Sequence, residues 1–130
     1  MADKTVVTES YSEAIDRALL GDVSASQLVT DGKWAGVLME DGLSGETRAW
    51  EIAPRVYQWY VPDALTVNDG DTVYLEIADH TAGIPDDTAY STSSGSGKIA
   101  LFKALAAKVT ANDAGNHYVV GLSLLHMQGG

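Results

Sequence analysis

Cysteine is absent from this chain, which excludes disulfide cross-links, thiol nucleophiles and thiolate metal sites but does not identify a compartment. Clustered cations are also missing. Residues 1–65 hold 11 acids and 5 bases, and residues 66–130 hold 7 acids and 3 bases, with no Lys/Arg cluster anywhere. Nucleic-acid binding depends on cations that displace counterions from phosphates, so a formal charge of −10 without a basic patch argues against DNA and RNA as partners. An anionic membrane surface is disfavoured for the same reason. No apolar run approaches the roughly 18–20 residues of a membrane-spanning helix. The start, Met1-Ala2-Asp3-Lys4-Thr5, lacks the apolar core of a signal peptide, and the expectation is a protein made in the cytosol.

What the chain does have is enough apolar material for one core. It contains 130 residues, of which 45% are hydrophobic and 20% charged, close to the averages for globular domains. A domain of this size buries only about two-thirds of its unfolded surface, so neighbouring subunits would add useful burial.

Residues 1–21 differ in character from the rest and are divided from a β domain over 22–130. Val6 and Val7 lie in a short β-prone run over residues 4–8. Ser10 and Glu13 have the spacing of a capping box ahead of an Ala- and Leu-containing segment that Gly21 would stop. This stretch is either a short helix or an extended arm.

From residue 33 onward the signals are mostly β. Asp41-Gly42 and Ser44-Gly45 are turn pairs, and over residues 47–53 alternation places Trp50 and Ile52 on one face with Glu51 on the other. Residues 55–61 alternate Tyr57, Trp59 and Val61 against Val56, Gln58 and Tyr60. A strand apolar on both sides is covered on both sides, once by its own core and once by something else. Asn68-Asp69-Gly70 is a turn, followed by a strand with Val73, Leu75 and Ile77 on one face and Thr72, Tyr74 and Glu76 on the other. Residues 78–97 are small and polar, the composition of a flexible surface loop. Tyr118, Val120, Leu122 and Leu124 alternate in a last strand. Residues 98–109 are ambiguous: their alanines favour helix, whereas the turn Asn112-Asp113-Ala114-Gly115 and the strand that follows favour a hairpin and hence a strand. The predicted fold is mainly β, a small barrel or sandwich.

Motifs for chemistry fail on inspection. A phosphate loop needs a glycine five positions before its Gly-Lys pair and a Ser/Thr after the lysine; around Gly97-Lys98 those positions are Thr92 and Ile99. Asn68-Asp69-Gly70-Asp71 resembles part of a calcium loop, but Thr72 and Tyr74 occupy ligand positions inside a strand. His80, His117 and His126 have no metal-ligand spacing, and no serine sits in a nucleophile elbow. The expectation is a non-enzymatic protein without a cofactor. The feature above background is the aromatic set Trp50, Tyr57, Trp59 and Tyr60, which serves either as core or as an anchor against a neighbouring subunit.

Segment order supplies a resemblance. Gly32-Lys33-Trp34-Ala35-Gly36-Val37 leads to a turn with Gly45-Glu46, and an apolar strand ending at Pro62 follows. Next come Val67-Asn68-Asp69-Gly70-Asp71-Thr72-Val73-Tyr74-Leu75, a small-residue loop, an alanine-rich strand, a turn and a closing strand. Over about residues 22–125 this is similar to the small β-barrel family of tailed-phage capsid decoration (cement) proteins, with its Gly-Asp-x-Val-Tyr strand. The sequence departs from that pattern at Ile99-Ala100-Leu101-Phe102 and in its longer N-terminal segment. The resemblance implies a virion protein on the outer surface of an icosahedral capsid, commonly trimeric, whose partners are the major capsid protein and copies of itself. Val6, Val7, Trp50, Tyr57, Trp59 and Tyr60 are then the candidate intersubunit or capsid contacts. The competing reading is a carbohydrate- or ligand-binding β module of a fibre or tail, with exposed aromatics as sugar platforms.

Overall fold

The computed structural model describes residues 14–78, 83–110 and 117–128. Val6, Val7, the Ser10–Glu13 pair, His80 and the turn over 112–115 lie outside them. The architecture is mainly β, as predicted, with two antiparallel sheets.

The four-stranded sheet has the order β1-β4-β3-β2, with β1 at Ala14–Ala18, β2 at Leu28–Thr30, β3 at Ala35–Leu38 and β4 at Thr47–Glu51. Residues 14–18 are therefore extended, not helical, and they are paired with β4 in the sheet of the β domain. Their alanines favour helix, but Ile15 gains more by facing Trp50 across the β1–β4 ladder, where it also packs against buried apolar residues.

The larger sheet runs β5-β10-β8-β6-β7, with β5 at Val56–Tyr60, β6 at Thr72–Glu76, β7 at Tyr90–Ser91, β8 at Lys98–Ala104 and β10 at His117–Ser123; β9, Val109–Thr110, also pairs with β10. The strand reading of residues 98–109 holds for β8. Residues 78–97 are less featureless than their composition suggests, because a 3₁₀ turn at Asp87–Ala89 and strand β7 lie within them and bury Ala89. Asp86 caps that turn by accepting the Thr88 N–H at 2.9 Å.

Two clusters of buried side chains organise the packing. The larger gathers Trp59, Val73, Leu75, Leu101, Phe102, Val119 and Leu125 from the six-stranded sheet and its C-terminal turn, with Ala35 from the other sheet and Ile52 from the link between the sheets. The smaller contains Leu19, Val23, Val29, Leu38 and Trp50. Strand period explains the division: Leu28 pairs with Val37 and packs on the large cluster, whereas Val29, opposite Gly36, belongs to the small one. Trp50 and Ile52 consequently do not share a core. Strand β4 ends at Glu51, and Ile52 turns into the large cluster as the chain crosses to the second sheet.

Strand β6 behaves as its alternation predicts, with Val73 and Leu75 fully buried. The preceding turn is closed by the Asp71 carboxylate, which accepts the Asn68 N–H at 2.8 Å, and by Gly70 at φ 87°. Strand β10 turns its faces the less obvious way. Its buried residues are Val119, Gly121 and Ser123, and the apolar set Tyr118, Val120 and Leu122 looks outward, half-buried. Gly121 is required there because the Phe102 ring lies on its backbone: an added Cβ would come within 2.3 Å of Phe102 Cδ2. Phe102 in turn stacks on Trp59, with ring centroids 4.9 Å apart and planes inclined by 11°.

Candidate functional site: an open β edge beside an apolar face

Strand β5 is terminal in the large sheet and presents two surfaces and one edge. Its inward residues form an aromatic row. Trp59 is buried and donates its indole N–H to the Gly121 carbonyl at 2.9 Å. Tyr57 meets Trp59 edge-on at 5.2 Å and donates its hydroxyl to the Glu51 carboxylate.

The outward residues are Val56, Gln58 and Tyr60, all exposed, with Tyr60 at 66%. Register extends this surface across the sheet: Tyr60 stands opposite Tyr118 and Tyr118 opposite Val109, Gln58 opposite Val120, and Val56 opposite Leu122, which faces Lys103 on its other side. Exposed Leu105, whose backbone N–H bonds the Val120 carbonyl, adjoins the same rows. These rows contain no carboxylate on a chain of net charge −10.

The edge follows from the hydrogen-bond phase. Ser123 N–H bonds the Arg55 carbonyl and Val61 N–H bonds the His117 carbonyl, so odd-numbered residues of this segment face β10. Antiparallel ladders alternate, which leaves the backbone N–H and C=O of Val56, Gln58 and Tyr60 directed away from the sheet. Strand β2 is terminal in the other sheet and has the same property. Leu38 N–H bonds the Gln27 carbonyl, and Asp31 N–H bonds the Trp34 carbonyl, so Leu28 and Thr30 point outward; Thr30 N–H is taken up by the Gly83 carbonyl at 2.8 Å.

A groove of about 400 Å³ runs between these two edges, with Gln27, Leu28 and Val37 on one side and residues 57–60 on the other, closed at one end by Ile84, Pro85 and Tyr90. Past Tyr60 and Pro85 it continues into a hollow of about 310 Å³ bordered by Asp63, Asp87 and His117. His117 Nε2 is 3.0 Å from the Asp63 carboxylate. Tyr90 is pushed up to about 12, first by burial and then by the charge of Asp87, so its phenol stays neutral in ordinary buffers.

A larger hollow, about 550 Å³, is bordered by Ile15, Arg17, Trp34, Ile52, His126 and Gln128. Two of its polar groups are committed to the fold. Arg17 is paired with Asp31, and the Gln128 amide bridges the N–H and C=O of Ala35 at 2.7 and 2.6 Å. Burial raises the Asp31 carboxyl, but bonds from the Trp34 and Lys33 N–H groups and the Arg17 guanidinium outweigh it and hold it below the usual range. The groove at β5 lies beside backbone edge groups that no described residue bonds and continues an exposed apolar face, which makes it the stronger candidate. Among the described residues, no three His, Cys, Asp or Glu side chains are grouped so as to hold a metal ion.

Of the aromatic set singled out in the sequence, the structure gathers Tyr57, Trp59 and Tyr60 at this groove and places Trp50 in the small core. Tyr118, Val120, Leu122, Val109, Leu105 and Tyr90 are the site residues the sequence reading did not single out. The alternation of residues 118–122 was visible, but only the register with β5 and β9 shows that they continue one outward face. Lys98, the lysine of the failed phosphate loop, is folded onto its own turn, donating to Ser91 Oγ at 3.0 Å. No protein-family model, curated protein or solved structure matches the chain.

Proposed function

We propose that this protein is a non-enzymatic structural component of a tailed-phage virion, which assembles with copies of itself and binds the outer surface of the capsid so as to bridge major capsid protein subunits. The observation that carries this reading is the outward face of β5 and β10, where Val56, Tyr60, Tyr118, Val120 and Leu122 form a carboxylate-free apolar surface on an otherwise acidic molecule. Contiguous apolar surface of this kind favours contact with another protein. The segment order resembling decoration proteins supplies the identity of that partner. Repeated copies on a symmetric shell need only modest individual contacts, because several bind together, and the acidic remainder keeps decorated particles apart.

The test is sedimentation of purified protein with undecorated capsids, followed by heating of the shells. Co-sedimentation and a higher temperature of shell disruption are expected; protein left in the supernatant at saturating shell concentration refutes the reading.

One observation favours a second reading, a carbohydrate-binding module. Exposed Tyr60 stands at the rim of a groove that also offers Tyr57, Tyr90 and the amides of Gln27 and Gln58, a combination of aromatic platform and polar donors suited to sugars. Binding on a glycan array that Tyr60→Ala abolishes would establish it in place of the capsid reading.

A further inference from the structure

We infer that the hollow bordered by Ile15, Arg17, Trp34, Ile52 and His126 binds a neutral saccharide. Its lining shares no residue with the groove beside β5, so the inference is independent of both readings given above.

The hollow is the larger of the two, about 550 Å³ against about 400 Å³, and lies within the ~300–1,000 Å³ range of small-molecule sites. Local structure places its walls. On β1, Ile15 and Arg17 share one side and are partly buried, while Asp16 between them is exposed on the other. Trp34 stands just before β3, Ile52 just after β4, and His126 on the short 3₁₀ turn Leu125–Met127.

One carboxylate fixes the guanidinium and the aromatic residue relative to each other. Asp31 Oδ2 accepts the Arg17 Nε–H, and Asp31 Oδ1 accepts the backbone N–H of Lys33 at 3.0 Å and of Trp34 at 2.9 Å. Thr30 Oγ1 donates to the Trp34 carbonyl at 2.9 Å, and the Gln128 amide holds both the N–H and the C=O of Ala35. The Trp34 side chain packs on the small core while still bordering the hollow. These groups are thus set in place before any ligand arrives, which lowers the entropy lost on binding.

The capacity left over selects the ligand. Arg17 bonds Asp31 through Nε, its Nη1 and Nη2 donors bond no described residue, and its side chain is 31% exposed. Nor does any described residue bond the Trp34 indole N–H, the His126 ring or the Asp16 carboxylate. Donors and one acceptor therefore rim an apolar wall of Ile15, Ile52 and Trp34. An anion is disfavoured, because the Arg17 charge is already balanced by Asp31 and the chain carries −10. A cation would meet the Arg17 guanidinium and only one exposed, solvent-screened carboxylate, Asp16. A neutral pyranose avoids both penalties: its hydroxyls take the guanidinium and imidazole donors, and its C–H face covers the indole.

The test applies the full chain to an array of neutral and acidic glycans, and each neutral glycan that binds is titrated by calorimetry against the parent and against variants. Arg17→Lys keeps the charge beside Asp31 but loses the guanidinium fork. Trp34→Leu keeps an apolar side chain on the small core but removes the ring, and His126→Ala lies on an exposed turn. The expected result is saturable binding of at least one neutral glycan, weakened about tenfold or more by Arg17→Lys and Trp34→Leu and about threefold by His126→Ala, with circular dichroism unchanged. If Trp34→Leu fails to fold, the other two variants decide. Absence of binding to every neutral glycan overturns the inference, and so does a preference for acidic ones. Binding that Tyr60→Ala abolishes and Arg17→Lys leaves unchanged places the sugar in the β5 groove and overturns it equally. No capsid is present, so either outcome leaves the capsid-binding test standing.

Discussion

Substituting Gly121 by alanine tests the central packing argument. The new Cβ would lie 2.3 Å from Phe102 Cδ2, 3.0 Å from Phe102 Cε2 and 3.1 Å from the Lys103 carbonyl oxygen. The Phe102 ring has no room to retreat, because its other face is stacked on Trp59 and Trp59 is anchored to the Gly121 carbonyl itself. Overpacking of a filled core costs about 1–3 kcal/mol, and a clamped ring places this variant near the upper end, about 3 kcal/mol. With an m-value of about 2 kcal/mol per molar urea, the unfolding midpoint falls by about 1.5 M. Tryptophan fluorescence during urea titration reads this directly, since Trp59 lies against the perturbed ring. Phe102→Leu alone costs about 1 kcal/mol in lost packing, but in the alanine background it also relieves the clash. The double variant is therefore expected to be less destabilised than the sum of the singles by about 1–2 kcal/mol. A Gly121→Ala midpoint within about 0.3 M of the parent, the range of a bland surface change, would refute the reasoning. Strict additivity in the double variant would refute it equally.

Two tryptophans should respond differently to the same replacement. Trp59→Phe removes a buried hydrogen bond as well as indole volume, and about 2 kcal/mol of lost stability is expected by chemical denaturation. Trp50 is as deeply buried but its indole N–H has no partner among the described residues, so Trp50→Phe removes an unsatisfied donor along with the volume and should cost under about 1 kcal/mol. Burial, and after it the charge of Asp87, pushes the Tyr90 phenol up from its ordinary 10.0 to about 12, so the folded state holds its proton more tightly. Its contribution is complete below pH 10.0 and is lost as pH rises toward 12, about 2–3 kcal/mol in all, and Tyr90→Phe should flatten that part of the stability profile. The Asp31 carboxyl is held low, so its contribution is present above its unfolded pKa and lost as pH falls through its lowered folded value; Asp31→Asn should reduce the acid sensitivity of unfolding. Val56→Thr with Val120→Thr, both on the outward face, should leave the unfolding midpoint within about 0.5 kcal/mol of the parent while weakening capsid co-sedimentation at least tenfold.

The β class was legible in the sequence, because alternation at residues 55–61 and 71–77 and the turns between strands are local properties that survive any arrangement of sheets. So was the apolar character of β5 on both sides, which is what makes an exposed surface there unusual. Everything that depends on which strands meet required the folded arrangement. Helix propensity at residues 14–18 gave way to pairing with β4, since one cross-strand partner such as Trp50 outweighs a few tenths of a kcal/mol per residue in helix preference. Trp50 and Ile52, one alternation apart, went to different cores because the chain leaves the sheet between them. The outward direction of Tyr118, Val120 and Leu122 was fixed by Phe102, whose ring needs the space that only Gly121 leaves open and so sets the phase of the whole of β10. Period-two alternation gives the two faces of a strand but not which one meets the core; the contacts made across the sheets decide that.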